Sequence, residues 1–171
     1  MTKCLYLIVD FSYGEDKIRT ALSAGVDYVQ LREKNITSAE YLARAKQMRT
    51  MTRQYHTKLI IDDRLDIALL SEADGVHVGQ EDMASGEVRK ILGDGKIIGV
   101  SAHNVKEALE AQANGADYLG VGAAFPTGSK DDVNVISHDE IKAICEAVNI
   151  PVIAIGGINI DNISSRIVLV R

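Results

Sequence analysis

Seven short apolar runs punctuate this chain, and longer amphipathic segments separate them. The runs are Leu5–Val9, Tyr28–Leu31, Lys58–Ile61, Gly75–Val78, Ile97–Val100, Tyr118–Val121 and Val152–Ile155. Between them the sequence predicts helices over Ile18–Ser23, Ser38–Tyr55, Asp66–Leu70, Ala84–Leu92, Val105–Ala113 and His138–Val148. The last of these carries Ile141, Ile144, Cys145 and Val148, spaced so that they share one helical face. Start signals agree, with Thr37–Ser38 ahead of the second helix and Ser137 ahead of the sixth.

Strands that alternate with helices must pair in parallel through right-handed crossovers. A nearly continuous apolar strand such as Leu-Tyr-Leu-Ile-Val (5–9) fits a sheet covered on both faces. Three phrases echo one another: Ala-Gly-Val-Asp-Tyr-Val (24–29), Glu-Ala-Asp-Gly-Val-His-Val (72–78) and Asn-Gly-Ala-Asp-Tyr-Leu-Gly-Val (114–121). Each reads as a helix end, a tight turn and a strand. The recurrence favours an α/β fold of the (β/α)₈ TIM-barrel type, formed as one domain over residues 1–171, above a doubly wound open sheet.

Length sets one condition on that reading. Compact barrels of this type need about 200 residues and ordinary ones about 250, whereas this chain has 171. Only sixteen residues follow Ile155. Ile167–Val170 is apolar enough for a strand, but the link Ile160–Arg166 is too short for a normal crossover. The expectation is a barrel truncated or altered after about Ile163, lacking a normal eighth βα unit.

Composition narrows the class. With 46% hydrophobic residues and 25% charged ones, the chain can build a core and is not a disordered segment. It carries 19 basic against 24 acidic residues, a net charge of −5, which argues against a nucleic-acid platform. No apolar run reaches the roughly 20 residues that span a bilayer, and the N-terminus lacks the features of a signal peptide. Two cysteines, Cys4 and Cys145, make no disulfide framework, so a reducing cytoplasm is the expected location.

In parallel α/β folds the chemistry sits at the carboxyl ends of the strands. After the second run, strand alternation puts Gln30, Arg32 and Lys34 on one face, where two cations and an amide suit a phosphorylated anion. A solvated strand end is the bland alternative. Asp63 and Asp82 follow the third and fourth runs, and such carboxylates beside cations make sense with Mg²⁺ between them and a pyrophosphate. Taken singly, each could instead cap a helix. His77 reads as a packed side chain. Ser101 lies at the end of the fifth run and could equally cap the following helix. In the loop after the sixth run, Thr127 and Ser129 offer hydroxyls to a phosphate, and Lys130 offers charge to a departing pyrophosphate. Gly156–Gly157, after the seventh, let backbone amides approach a phosphate closely.

Taken together, Gln-Leu-Arg-Glu-Lys (30–34), Ile-Ile-Asp-Asp-Arg (60–64), Gly-Val-His-Val-Gly-Gln-Glu-Asp-Met (75–83), Gly-Val-Ser-Ala-His (99–103), Phe-Pro-Thr-Gly-Ser-Lys (125–130) and Ala-Ile-Gly-Gly-Ile (154–158) resemble the thiamine-phosphate synthase family, in its order and over about Leu5 to Ile163. The resemblance implies a transferase that joins hydroxymethylpyrimidine diphosphate to thiazole phosphate and releases pyrophosphate. It implies Mg²⁺ as cofactor, held by Asp63 and Asp82. It places the 30–34 segment (Gln30, Leu31, Arg32, Glu33, Lys34), Asp62 and Ser101 on the pyrimidine diphosphate. Thr127, Gly128, Ser129 and Gly157 fall on the thiazole substrate, and Lys130 on the pyrophosphate. Arg32, Lys34 and Lys130 are the expected catalytic residues.

Two departures from that family are local: Asp62 replaces an Asn, and Gly128-Ser129 replaces a polar residue followed by Thr. The third is the unmatched segment Asn162–Arg171, from which weak or absent activity and poor stability are expected of the chain alone. The alternatives are a thiazole tautomerase-like isomerase and a catalytically impaired ligand-binding relative. Both partners are expected to be small molecules, with neither nucleic acid nor membrane involved, and assembly into copies of the same chain is left open.

Overall fold

The architecture is that of a computed structural model, which describes residues 4–126 and 135–163. Its elements alternate throughout: β1 Tyr6–Val9, α1 Glu15–Ser23, β2 Tyr28–Leu31, α2 Ser38–Tyr55, β3 Lys58–Asp62, α3 Leu65–Leu70, β4 Gly75–Val78, α4 Ser85–Leu92, β5 Ile97–Ala102, α5 Val105–Ala113, β6 Tyr118–Val121, α6 His138–Ala147 and β7 Val152–Ala154. All seven expected strands and all six expected helices are present, with shifts confined to their ends. Helix α1 starts three residues earlier than its apolar pattern suggests. Gly14 makes the turn into it at φ 87°, and Glu15 and Asp16 fill a polar first turn that suits the helix N-terminus. A single 3₁₀ turn at Phe11–Tyr13 had no sequence signal; the Asp10 side chain closes it by accepting from the Ser12 N–H.

Two compact units divide the chain, one reaching to Val78 and including Leu92–Ile97, the other comprising Gly79–Ile91 and the residues from Ile98 onward. In the first, β1 to β4 pair in parallel and in chain order, with Tyr6 opposite Tyr28, Tyr28 opposite Lys58 and Ile60 opposite Gly75. Ile18 and Leu22 of α1, Met48 and Met51 of α2, and Leu59, Ile60 and Ile61 of β3 are almost wholly removed from solvent. Each such side chain contributes about 1.5–3 kcal/mol by leaving water. In the second unit β5, β6 and β7 are likewise parallel, Gly99 facing Tyr118 and Leu119 facing Val152. Ile98, Leu119 and Ile144 form the centre of its core. Strands β4 and β6 are buried along their whole length, as expected for a doubly covered sheet. Strand β1 is not: Ile8 is exposed, as is Leu5 just before the strand, and its partner among the described residues is β2.

Local signals account for the helix starts. Thr37 and Glu40 form a reciprocal cap, each side chain serving the other's backbone N–H, and Ser137 accepts from the Glu140 N–H. The three echoing phrases have a common purpose at the strand starts. Asp27 accepts the Leu5 N–H at 2.8 Å, Asp74 the Leu59 N–H at 2.8 Å, and Asp117 the Ile98 N–H at 2.7 Å. In each pair the aspartate's own N–H donates back to the carbonyl of the same residue. The aspartate leading into an even-numbered strand therefore fixes the start of the strand before it.

Among the described residues no helix is long and apolar enough to cross a membrane. Thr127, Gly128, Ser129 and Lys130, and the segment after Ile163 with its strand-like Ile167–Val170, lie outside the described residues.

Candidate active site

Alternation past the end of β2 turns Gln30, Arg32 and Lys34 to one side, as their spacing predicts, and they converge on the end of β3. The Gln30 amide donates to Oδ1 of Asp62, and its Oε1 accepts from the Tyr6 hydroxyl at 2.8 Å. Oδ2 of Asp62 lies 3.3 Å from Arg32 Nε and 3.7 Å from Lys34 Nζ. Lys34 also reaches Asp63 Oδ2 at 2.5 Å. Two cations and two carboxylates thus balance at the ends of neighbouring strands.

Burial dominates the electrostatics of Asp62, whose side chain is only 9% exposed. Burial and then the Asp63 charge push its carboxyl up to about 6, against the opposing pull of Lys34, Arg32 and the Gln30 hydrogen bond. Asp63 sits in the left-handed region at φ 59°. Its N–H donates to the His77 carbonyl at 2.8 Å, while the Arg64 N–H bridges back to the Asp62 carbonyl at 2.7 Å. That conformation costs about 1 kcal/mol in a non-glycine residue, and Asp is one of the few that adopt it. It directs the carboxylate to Lys34 instead of to the following helix. The capping alternative for Asp63 falls away, since Arg64 precedes α3 and no side chain caps it. His77 is buried in β4, as a packed residue would be.

The other side of the 30–34 segment is committed within the protein. Leu31 is fully buried. The Glu33 carboxylate, also buried, takes the Arg44 guanidinium at 2.7 Å and the Phe11 N–H at 3.0 Å. These two members of the expected substrate set therefore point away from Arg32 and Lys34 and anchor the loop that carries them. Tyr41 adds a clasp that the sequence did not disclose. Its hydroxyl donates to the Leu31 carbonyl at 2.7 Å, with the Asp62 carbonyl at 3.1 Å, and so ties the ends of β2 and β3 together. Burial holds its phenol well above the usual range.

The second unit supplies other expected residues. Asp82 Oδ2 accepts the Gly79 N–H at 2.7 Å within its own loop. Ser101 lies within β5, and the residue capping α5 is Asn104, so the capping alternative for Ser101 also falls away. The Ser101 carbonyl accepts from the Gln80 amide at 2.5 Å. Gly157 has φ +67°, and a Cβ there would sit 2.6 Å from both the Phe125 and Pro126 carbonyl oxygens, so no other residue fits without moving that segment. Its carbonyl accepts from Asn162 Nδ2 at 2.9 Å. The aromatic pair of Phe125 with His138, at 6.1 Å, and the Ile136 N–H bond to the Ala123 carbonyl hold the ends of that loop. Asp63 and Asp82 bring carboxylate oxygens, the donor type hard divalent cations take. Among the described residues no group of three or more His, Cys, Asp or Glu side chains forms a metal-holding cluster.

Parallel βα units that place a charged cluster at their strand ends define the class as an α/β-barrel enzyme. The chain belongs to the thiamine monophosphate synthase family, whose model matches residues 5–168. Thiamine-phosphate synthase of Clostridium tetani is 49% identical over 93% of this chain and 78% of its own length. That of Clostridioides difficile is 48% identical over 95% of this chain and 81% of its own. Thiamine phosphate pyrophosphorylase of Pyrococcus furiosus, a solved structure, is 42% identical and superposes with a TM-score of 0.86, covering 97% of this chain and 80% of that one. The fold class is thereby that of the TIM barrel, with seven strands among the described residues, and the activity class thiamine-phosphate synthesis. The 3-dehydroquinate dehydratase of Aquifex aeolicus, at 16% identity and a TM-score of 0.64, shares the fold alone.

Proposed function

We propose that the chain joins hydroxymethylpyrimidine diphosphate to thiazole phosphate, using the cluster at the ends of β2 and β3 to take the diphosphate. The observation that carries this is the convergence of Gln30, Arg32 and Lys34 on Asp62 and Asp63. In the reaction the carbon–oxygen bond of the pyrimidine ester breaks and pyrophosphate leaves with the electron pair. The thiazole nitrogen lone pair then forms the new carbon–nitrogen bond. No side-chain nucleophile is required, so the chain's task is to position two substrates and to neutralise the charge that develops on the leaving group. Arg32 offers a planar fork to phosphate oxygens and Lys34 a mobile point charge. Both are partly exposed, and Lys34 can exchange its carboxylate partner for a phosphate at small cost because exposed ion pairs are weak.

Asp63 and Asp82 would hold Mg²⁺, which binds through one or two carboxylates with waters and phosphate oxygens completing its shell. That ion would add positive charge where the leaving oxygens accumulate negative charge. Ser101 is assigned to the pyrimidine substrate. Gly157, with the loop residues Thr127, Gly128 and Ser129, is assigned to the thiazole phosphate, and Lys130 to pyrophosphate. The test is an assay of the purified chain with both substrates and Mg²⁺. Equimolar release of pyrophosphate and thiamine phosphate is expected. Conversion of the thiazole phosphate alone, with no pyrophosphate released, would overturn the reading in favour of an isomerase.

A further inference from the structure

Gln30 is buried at 3% exposure, and both ends of its amide are committed. An ionised Asp62 can only accept, so the Gln30 NH₂ must face Oδ1. Oε1 is then left facing β1, where only a donor satisfies it, and the Tyr6 hydroxyl supplies that donor at 2.8 Å. With Asp62 ionised, each bond in this row of side chains has one direction. An amide at position 62 could donate or accept, and would leave the orientation of Gln30 unfixed. The Tyr6 ring is itself held against Tyr28, its register partner, with centroids 5.8 Å apart and planes 16° from parallel. This fixes the hydroxyl two residues along β2, at Gln30.

The consequence reaches the cations. Gln30 grips Oδ1 and so turns Oδ2 toward Arg32 Nε and Lys34 Nζ. We propose that Tyr6 is a positioning residue for the anion site: through Gln30 and Asp62 it sets the orientation in which Arg32 and Lys34 meet a diphosphate group. The inference rests on the reaction assigned above. Tyr6 touches neither substrate in this scheme; it determines how rigidly the counter-charge of the two cations is held before the anion arrives.

Tyr6→Phe removes the hydroxyl and keeps the stacked ring. Titration calorimetry with inorganic pyrophosphate as the probe is expected to show a dissociation constant raised roughly tenfold, the loss of about one hydrogen bond's worth of orientation. The KM for the pyrimidine diphosphate should rise in parallel while the KM for thiazole phosphate stays put, a split that general loosening of the fold would not produce. Gln30→Met should give the same change, and the double variant should be no worse than Gln30→Met alone. Tyr28→Phe, which preserves the stack, should match the wild type. Unchanged pyrophosphate affinity in Tyr6→Phe, or additive losses in the double variant, would overturn the inference, as would a wild-type chain that binds no pyrophosphate. A wild-type chain that binds pyrophosphate but catalyses no transfer would sink the proposed reaction instead, and the titration would still decide the role of Tyr6.

Discussion

Lys34 is the most exposed member of the charged cluster, and its 2.5 Å contact to Asp63 is of the kind that yields to an incoming anion. Removing it as Lys34→Ala should lower kcat/KM for the pyrimidine diphosphate about 10²-fold, the usual scale for one lost donor to developing charge. Thermal stability should change little, and steady-state kinetics beside a melting curve would check both. A variant within threefold of wild type would remove Lys34 from the chemistry. At this scale the sequence was legible where a rule of direction operates. Alternation along an extended segment puts residues 30, 32 and 34 on one side, and that held. It was not legible where the destination of a side chain depends on a distant element. Glu33 sits between Arg32 and Lys34, yet its carboxylate belongs to Arg44 and Phe11. Tyr41 occupies an apolar helix position, and nothing in its spacing reports the two carbonyls its hydroxyl clasps.

Whole elements were easier to read, because periodicity and capping are local. The capping box at Thr37 needs only residues three apart, and it is present as spelled. The echoing phrases were visible as turns, while the partners of their aspartates lay 15 to 22 residues back along the chain. Asp74 shows what such a residue contributes. It takes the Leu59 N–H, Arg49 at 2.6 Å and Lys58 at 3.3 Å, so it joins α2, β3 and the start of β4. Burial tends to raise its carboxyl, but the Leu59 hydrogen bond and the Arg49 and Lys58 charges outweigh burial and hold it below the ordinary 3.8. A carboxylate depressed in the folded state contributes stability that is fully present above its unfolded value and is lost as pH falls through the folded one. Asp74→Asn should therefore cost about 1–3 kcal/mol at pH 7. The gap from wild type should close as pH drops below 3.8. Urea unfolding across pH would measure it, and a gap that persists or widens in acid would refute the assignment.

Across the chain as a whole, polar residues divide by position along the strands. Strand starts carry Asp27, Asp74 and Asp117 in backbone-fixing roles; the end of β2 and the end of β3 carry the charged cluster. Strand starts and strand ends thus carry polar residues in different roles. Binding at the charged cluster should stabilise the fold that carries it. At a hundred times its dissociation constant, pyrophosphate should add about 2.7 kcal/mol. For a chain of this size that is a rise in melting temperature of about 5–10 °C. Scanning calorimetry with and without pyrophosphate would show it, and an unmoved transition at saturating concentration would contradict the site.

The aspartate locks also have a direction in time. In each pair the gripping carboxylate belongs to the later strand and the gripped amide to the earlier one. During synthesis on the ribosome, the earlier strand emerges with its amide waiting, and the newcomer brings the latch. Each of the three latches can therefore close only once the chain has been made as far as the entry to β2, β4 or β6.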